Sequence, residues 1–294
     1  MPEAVIVSTA RSPIGRANKG SLKDLRPDDL SATIIKAALD KVPALDPSSI
    51  DDHYMGVGLP GGESGNNLAR VVNVLNGMDD VPGATITRYC SSSVQTTRMA
   101  FHAIKAGEGD IFVSAGVETV SRFAKGTSDH WPDTKNPVFA EAQERTNKTA
   151  ELGNAAGAWH DPREDGQVPD VYIAMGQTAE NVATLRGLDR KELDEFAVRS
   201  QNLTEKAIAD GFWPREITPV TLADGTVVGS DHGLNELVVA ATADLDFVAT
   251  VPYRDFIGDI GTERERHTRF DGVHLSEAGV AEIGIWLMDG ILDP

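Results

Sequence analysis

The sequence contains a single cysteine, no long apolar run, and far fewer basic than acidic residues. A lone Cys90 cannot form an intramolecular disulfide, which fits a reducing compartment. No stretch of about 18 consecutive apolar residues occurs, so we expect no transmembrane helix. Lys and Arg number 27 against 45 Asp and Glu, a net charge of −18 that disfavours nucleic acid and anionic membrane surfaces as partners. The N-terminal segment lacks the basic and apolar regions of a signal peptide, so the expected location is cytoplasmic.

Two further classes of site lack their usual residues. The seven histidines have no neighbours at metal-ligand spacing, so we predict no metal site. Neither a Gly-x-Gly-x-x-Gly pattern nor a Walker lysine is present, so the glycine-rich segment GGESGNN predicts a turn before a helix rather than a phosphate loop. A chain of 294 residues, 40% of them hydrophobic, suits one large or two medium globular domains.

Strand-like and helix-like patterns alternate along the first part of the chain. The β-branched run AVIVST at residues 4–9 predicts a buried strand, and residues 51–57 predict a second one. Apolar residues at helical spacing follow each run, at 30–39 and 68–75. This alternation predicts a layered α/β fold.

The segment around Cys90 has the strongest local pattern. GATITRYC predicts a strand, SSSVQTTRMAFHAIKAGEGD a helix capped by serine and closed by Gly107, and IFVSAG another strand. Cys90 therefore lies where a strand gives way to a helix. The positive end of a helix dipole and its free N–H groups favour a thiolate, the nucleophilic form. The alternative is an inert cysteine that only packs, because free cysteines are often buried.

The rest of the chain differs in composition. Residues 122–170 are polar, hold four prolines and show little periodicity, which predicts a long excursion from the α/β core. Two helices are predicted near 175–185 and from 189 onward, followed by a small hairpin, ITPVTL-ADGT-VVG. Residues 234–294 contain no lysine and have 12 acidic residues against 4 arginines, so composition changes near Gly233.

Several segments together resemble the thiolase family. They are VIVSTARSPIGR, then RYCSSSVQTTRMAFHAIKAGEGD followed by FVSAGVETVSR, and AMGQTAENVA with DEFAVRSQNLTEKAIADGFWPREITPV. The resemblance implies a thiolase-like N-terminal half at 1–121, with a layered mixed sheet and helices, an inserted loop domain at 122–233, and no C-terminal thiolase half. The tail at 234–294 does not continue the resemblance.

The thiolase resemblance also implies a chemistry. Members include acetyl-CoA acetyltransferases and 3-ketoacyl-CoA thiolases, acyltransferases of fatty acid metabolism. Cys90 would be the acylated nucleophile, acyl-CoA or acetyl-CoA would be a substrate rather than a resident cofactor, and Met175 would touch the pantetheine arm of CoA. We also expect a homo-oligomer.

Three family elements are absent from the sequence. The Asn-Glu-Ala-Phe motif, the Gly-His-Pro motif and the second cysteine do not occur; the nearest match to the first begins at Asn235. Condensation needs a base for the second substrate's α-proton, so we expect the chain to be incomplete or inactive alone. The alternative is a non-catalytic CoA-binding or oligomerisation module that uses the apolar face left exposed.

The segment RFDGVHLSEAGVAEIGIWLMDGIL resembles the end of an SGNH (GDSL-like) hydrolase domain. That resemblance makes Asp271 and His274 the acid and base of a Ser-His-Asp triad. The Gly-Asp-Ser nucleophile block is absent, which leaves a remnant esterase as the third hypothesis. A histidine on the surface before a helix is the simpler interpretation. Two partial families in one chain suggest a fusion of fragments.

Overall fold

The computed structural model describes residues 3–125, 135–153 and 157–229. These residues form two compact units, the first made of 3–125 with 207–229 and the second of 135–153 with 157–206. The elements, in chain order, are α1 (Pro27–Leu39), β1 (Asp52–Gly56), α2 (Leu68–Leu75), β2 (Gly83–Ile86), α3 (Ser92–Ala106), β3 (Phe112–Gly116), α4 (Ala140–Leu152), α5 (Met175–Arg186), α6 (Arg190–Ala209), α7 (Trp213–Glu216), β4 (Val220–Thr221) and β5 (Val227–Val228).

The first unit is built on a three-stranded sheet with the order β2-β1-β3. Both pairings are parallel, and in the register Gly56 of β1 lies opposite Ile86 of β2 and Gly116 of β3. Parallel strands need helical crossovers, and α2 and α3 supply them. The predicted α/β architecture is confirmed.

Helices cover both faces of this sheet, which is why four of the five residues of β1 are buried. On one face, β1 and α2 enclose an apolar core that α1 extends through Ile35; its most buried members are Met55, Leu68, Ala69 and Val72. On the other face, α3 packs on β1 and β3. The buried Thr96 hydroxyl lies 3.0 Å from the Ser114 hydroxyl of β3. Alternate β1 side chains therefore face different helices.

A buried polar pair joins the sheet to α2. His53 of β1 is fully buried, and its Nδ1 lies 2.7 Å from Asn73 Oδ1. Asn73 Nδ2 donates to the carbonyls of Val81 and Pro82, each at 3.0 Å, so its oxygen is the acceptor and His53 Nδ1 carries the proton. No residue that the structure describes forms a hydrogen bond with Nε2. Burial lowers the pKa of His53 below its usual 6.5.

The predicted buried strand at residues 4–9 is wrong. Val5, Ile6 and Val7 are 69%, 78% and 74% exposed, and no described strand pairs with them. The segment is fastened by Ser8 Oγ, which donates to Ala38 O, and by Lys41 Nζ, which donates to Thr9 O. A β-branched apolar run favours extended backbone, but a strand also needs a partner for its N–H and C=O groups.

The remaining sequence predictions have mixed outcomes. The helices near 175 and 189 are confirmed as α5 and α6, and the hairpin is confirmed as the antiparallel pair β4 and β5. The polar stretch at 122–170 contains the helix α4. This helix was not predicted, because apolar residues in the stretch show little helical periodicity. Only Ala142 and Thr146 of α4 are buried, so little apolar patterning was available to reveal it. The predicted domain bounds at 121 and 233 remain predictions.

Removing the His53 imidazole is expected to reduce the pH dependence of stability. A buried neutral histidine has a lowered folded-state pKa, so its contribution is fully present above the unfolded value of 6.5 and is lost as pH falls below it. The maximum slope is about 1.4 kcal/mol per pH unit. In His53→Asn, the side-chain nitrogen can still donate to Asn73, but nothing titrates there.

Urea unfolding of the parent and His53→Asn from about pH 7.5 to about pH 5.5 checks this expectation. The other histidines are common to both proteins, so only the difference in slope is informative. The parent should lose more stability than the variant on acidification. Parallel curves would contradict a neutral, buried His53.

Candidate active site

The carboxyl ends of the three parallel strands meet at one edge of the sheet. The N–H of Val57, just after β1, donates to Ile86 O at 2.9 Å, and that of Val117, just after β3, donates to Gly56 O at 3.0 Å. In open α/β sheets this edge is where ligands usually bind. The segment between β2 and α3 carries Cys90 at the same edge.

Cys90 lies in a single turn of 3-10 helix, Tyr89–Ser91, immediately before α3. Its side chain is exposed, and no described residue hydrogen-bonds to the sulfur. Tyr89 has φ +47°, the left-handed region that a bulky residue rarely occupies. Such a backbone persists only where the surroundings fix it, and it occurs often at functional sites. The sequence prediction of a cysteine at the strand-to-helix junction is confirmed.

The side chain of Ser92 stabilises this turn by hydrogen bonding. Its buried hydroxyl accepts the N–H of Arg88 at 2.8 Å and lies 2.6 Å from Tyr89 O. The same hydroxyl is 3.3 Å from Val57 O, beyond the end of β1. This side chain thus connects the start of the turn, at Arg88 and Tyr89, with Val57 at the edge of the sheet. No sequence pattern distinguishes Ser92 from its two serine neighbours.

Two glycines let the start of α3 lie directly on the sheet. A Cβ on Gly56 would lie 2.8 Å from the carbonyl carbon of Ser92 and 2.9 Å from Ser93 N. A Cβ on Gly116 would lie 2.0 Å from Ser93 Oγ. Gly56 and Gly116 are paired in register on neighbouring strands, so together they form a platform without side chains. We call this pair the glycine platform.

The helix start differs in one respect from the sequence prediction. Ser91 occupies the N-cap position of α3, but its side chain does not cap the helix; Oγ donates to Arg88 O at 3.1 Å instead. Among the described residues no N-cap side chain accepts the first amides of α3, but the N–H groups of Ser91 and Ser92 already donate to Arg88 O and Tyr89 O. The positive end of the helix dipole favours negative charge that develops on a bound group beside Cys90, such as an oxyanion.

Ion pairs connect the loop after β1 to the segment before α1 and to the segment after β3. Glu63 forms ion pairs with Arg26, at 2.9 Å, and with Arg122. Arg122 Nη1 also donates to Asp24 O at 2.8 Å. The hydrogen bonds from Arg122 hold the pKa of Glu63 below its usual range despite partial desolvation. The loop after β1 is thereby tied to the segment after β3.

Two large apolar side chains of α3 are exposed to solvent. Val94 is 70% and Phe101 46% exposed, and both line an open depression together with Ser93, Thr97 and Arg98. Exposed apolar side chains on one helix face are consistent with the predicted surface for another polypeptide.

The other predicted site residues have different outcomes. Met175 begins α5 in the second unit and is exposed, with Thr178 Oγ1 3.8 Å from its sulfur. Asp271 and His274 lie outside the described residues. Within the described ranges, no group of three or more His, Cys, Asp or Glu is arranged to hold a metal ion. No helix of those ranges is long and apolar enough to span a bilayer.

Alanine substitutions at Gly56 and at Gly116 should both lower stability, but Ser93→Ala should relieve only the one at Gly116. In Gly56→Ala the new Cβ meets α3 backbone, so relief requires movement of the helix, at a cost of about 1–3 kcal/mol. In Gly116→Ala the nearest atom is Ser93 Oγ, which Ser93→Ala removes.

Urea denaturation of the two single variants and of each combined with Ser93→Ala checks the prediction. We expect Ser93→Ala to restore most of the lost stability beside Gly116→Ala and little beside Gly56→Ala. Equal rescue at both positions would mean that α3 does not lie on the platform as described.

Comparison with known proteins agrees with this architecture. A sequence model described as "Thiolase, N-terminal domain" matches residues 4–244. The 3-ketoacyl-CoA thiolase of Bacillus subtilis is 36% identical over 233 residues, which cover 79% of this chain and 52% of that protein. The 3-oxoadipyl-CoA/3-oxo-5,6-dehydrosuberyl-CoA thiolase of Escherichia coli is 36% identical over 235 residues, covering 79% and 55%.

A solved structure shows the same relationship. The acetyl-CoA acetyltransferase of Bacillus anthracis superimposes with a TM-score of 0.53 at 27% identity, covering 74% of this chain and 51% of that one. The chain spans about half the length of the curated relatives it matches. Since the family match extends over most of its residues, the chain belongs to the thiolase family, through that family's N-terminal domain.

Proposed function

We propose that the chain is an acyltransferase component that accepts an acyl group from a CoA thioester on Cys90. The observation that carries the proposal is the placement of the only cysteine: exposed, in a strained turn, at the uncapped start of a 15-residue helix. A developing oxyanion gains from that position. The names of the relatives supply the substrate class, CoA thioesters.

The proposed step is thioester exchange. The Cys90 thiolate attacks the acyl carbonyl, a new C–S bond forms to Cys90, and the bond to the CoA sulfur breaks. CoA departs as a thiolate and takes up a proton from solvent. The carbonyl oxygen carries the negative charge of the intermediate, which the positive end of the α3 dipole would stabilise.

The chain is proposed to stop at the acylated cysteine when it acts alone. Condensation requires a base to remove the α-proton of a second acyl-CoA, and Cys90 is the sole cysteine of the sequence. No Gly-His-Pro segment provides a histidine for that role. The proposed complete reaction would therefore need both groups from outside these 294 residues.

A second candidate is a non-catalytic module that binds CoA thioesters and associates through α3. The exposed Val94 and Phe101 on the outer face of that helix favour it, because exposed apolar patches commonly mark association sites. On this hypothesis the chain would form a homo-oligomer and bind CoA without forming a covalent adduct. The esterase remnant has no such support, since Asp271 and His274 lie outside the described residues.

Intact-mass spectrometry after incubation with acetyl-CoA tests the leading proposal. We expect one added acetyl group that hydroxylamine removes at neutral pH, as it does from a thioester. In Cys90→Ala the adduct should be absent, whereas acetylation of surface lysines would persist.

The same samples distinguish the second candidate. An unmodified protein that remains folded, sediments as an oligomer and retains CoA in equilibrium dialysis would favour the non-catalytic module. An adduct equally abundant in Cys90→Ala would contradict Cys90 as the acceptor.

A further inference from the structure

The loop that follows β1 is held by side chains from the ends of the other two strands. Gly58 donates its N–H to Glu118 Oε2 at 2.8 Å, and its carbonyl accepts the hydroxyl of Thr87 at 3.1 Å. Thr87 follows β2 and Glu118 follows β3. Both backbone hydrogen-bonding groups of Gly58 are thus satisfied by side chains at the edge that carries Cys90.

Gly58 in turn lies against the cysteine turn. A Cβ built on it would be 2.7 Å from Glu118 Oε2 and 3.5 Å from Tyr89 O. The Glu118 carboxylate and the carbonyl of the strained Tyr89 therefore both adjoin this one glycine. The absence of a side chain at Gly58 allows the carboxylate to reach its N–H.

The geometry points to Glu118 as a positioning residue for Cys90, acting through Gly58; this inference rests on the proposed role of Cys90. Tyr89 is held at positive φ by its surroundings, and the Gly58 loop is the part of those surroundings that Glu118 controls. Without the hydrogen bond, Thr87 is the one side chain among the described residues that still holds Gly58, so the loop can shift and the strain at Tyr89 can relax. Cys90 would then shift from its position at the start of α3.

Glu118 is not assigned the role of a base. Its carboxylate is exposed, and the contact that defines its position is the one to Gly58 N. Its negative charge opposes a thiolate nearby, so charge and hydrogen bond have opposite effects on Cys90. A test must separate these two effects.

Alanine and glutamine at position 118 provide that separation. Both substitutions remove the charge, but the glutamine oxygen can still accept the Gly58 N–H, whereas alanine cannot. Alkylation of folded protein by iodoacetamide at one fixed pH reports thiol reactivity without any CoA substrate. We expect Glu118→Ala to react roughly tenfold more slowly than Glu118→Gln, because small displacements of a reacting group have large effects on rate.

Two further variants complete the design. Gly58→Ala should react at least as slowly as Glu118→Ala, since its Cβ displaces the carboxylate from the N–H but leaves the negative charge in place. Glu108→Ala removes an exposed carboxylate beyond the opposite end of α3 and should react like the parent. Thermal melting of every variant confirms that each is folded.

The result that would overturn the inference is equal alkylation of Glu118→Ala and Glu118→Gln. A parent that is alkylated but never acetylated by acetyl-CoA would instead contradict the proposed function. In that case the alanine–glutamine comparison still tests the positioning role. The two failures are therefore distinguishable.

Discussion

The close approach of α3 to the carboxyl edge of the sheet is the constraint on which the site depends. Gly56 and Gly116 lie side by side in register, and the start of the helix occupies the space that their side chains would fill. A helix held this near the strands leaves a short path from β2 to α3. The chain follows that path through a tight turn, with Tyr89 at positive φ and Cys90 exposed immediately after it.

Polar contacts then hold the turn that carries Cys90, and the loop beside it, in place. Ser92 links the turn to Val57 from below, and the contacts of Gly58 with Thr87 and Glu118 hold the neighbouring loop. The helix amides remain without a side-chain cap because the Ser91 hydroxyl turns back to Arg88. The result is a hydrogen-bonded support around a thiol that stays open to solvent, as the proposed attack on an external thioester requires.

Much of this arrangement could be predicted from the sequence, and the failures have physical causes. The strands β1 to β3 and the helix α3 were predictable because apolar periodicity changes clearly between them, and Cys90 lies at one such change. The glycine platform could not be predicted, since it depends on which residues of β1 and β3 are paired in register. Tyr89 carries no signal of positive φ, because tyrosine seldom adopts it. The run Val5–Val7 was misassigned because composition shows a preference for extended backbone but not the presence of a partner strand.

The most direct test of the account compares the reactivity of Cys90 in the folded protein with its reactivity in the unfolded protein. The rate of alkylation by iodoacetamide would be measured for the folded protein and for the urea-unfolded protein at the same pH. Unfolding makes the thiol more accessible, so any excess rate in the folded state must come from its surroundings. The account predicts a folded-state rate roughly tenfold higher, as the proposed nucleophilic role of Cys90 requires. A folded-state rate equal to or below that of the unfolded chain would contradict it.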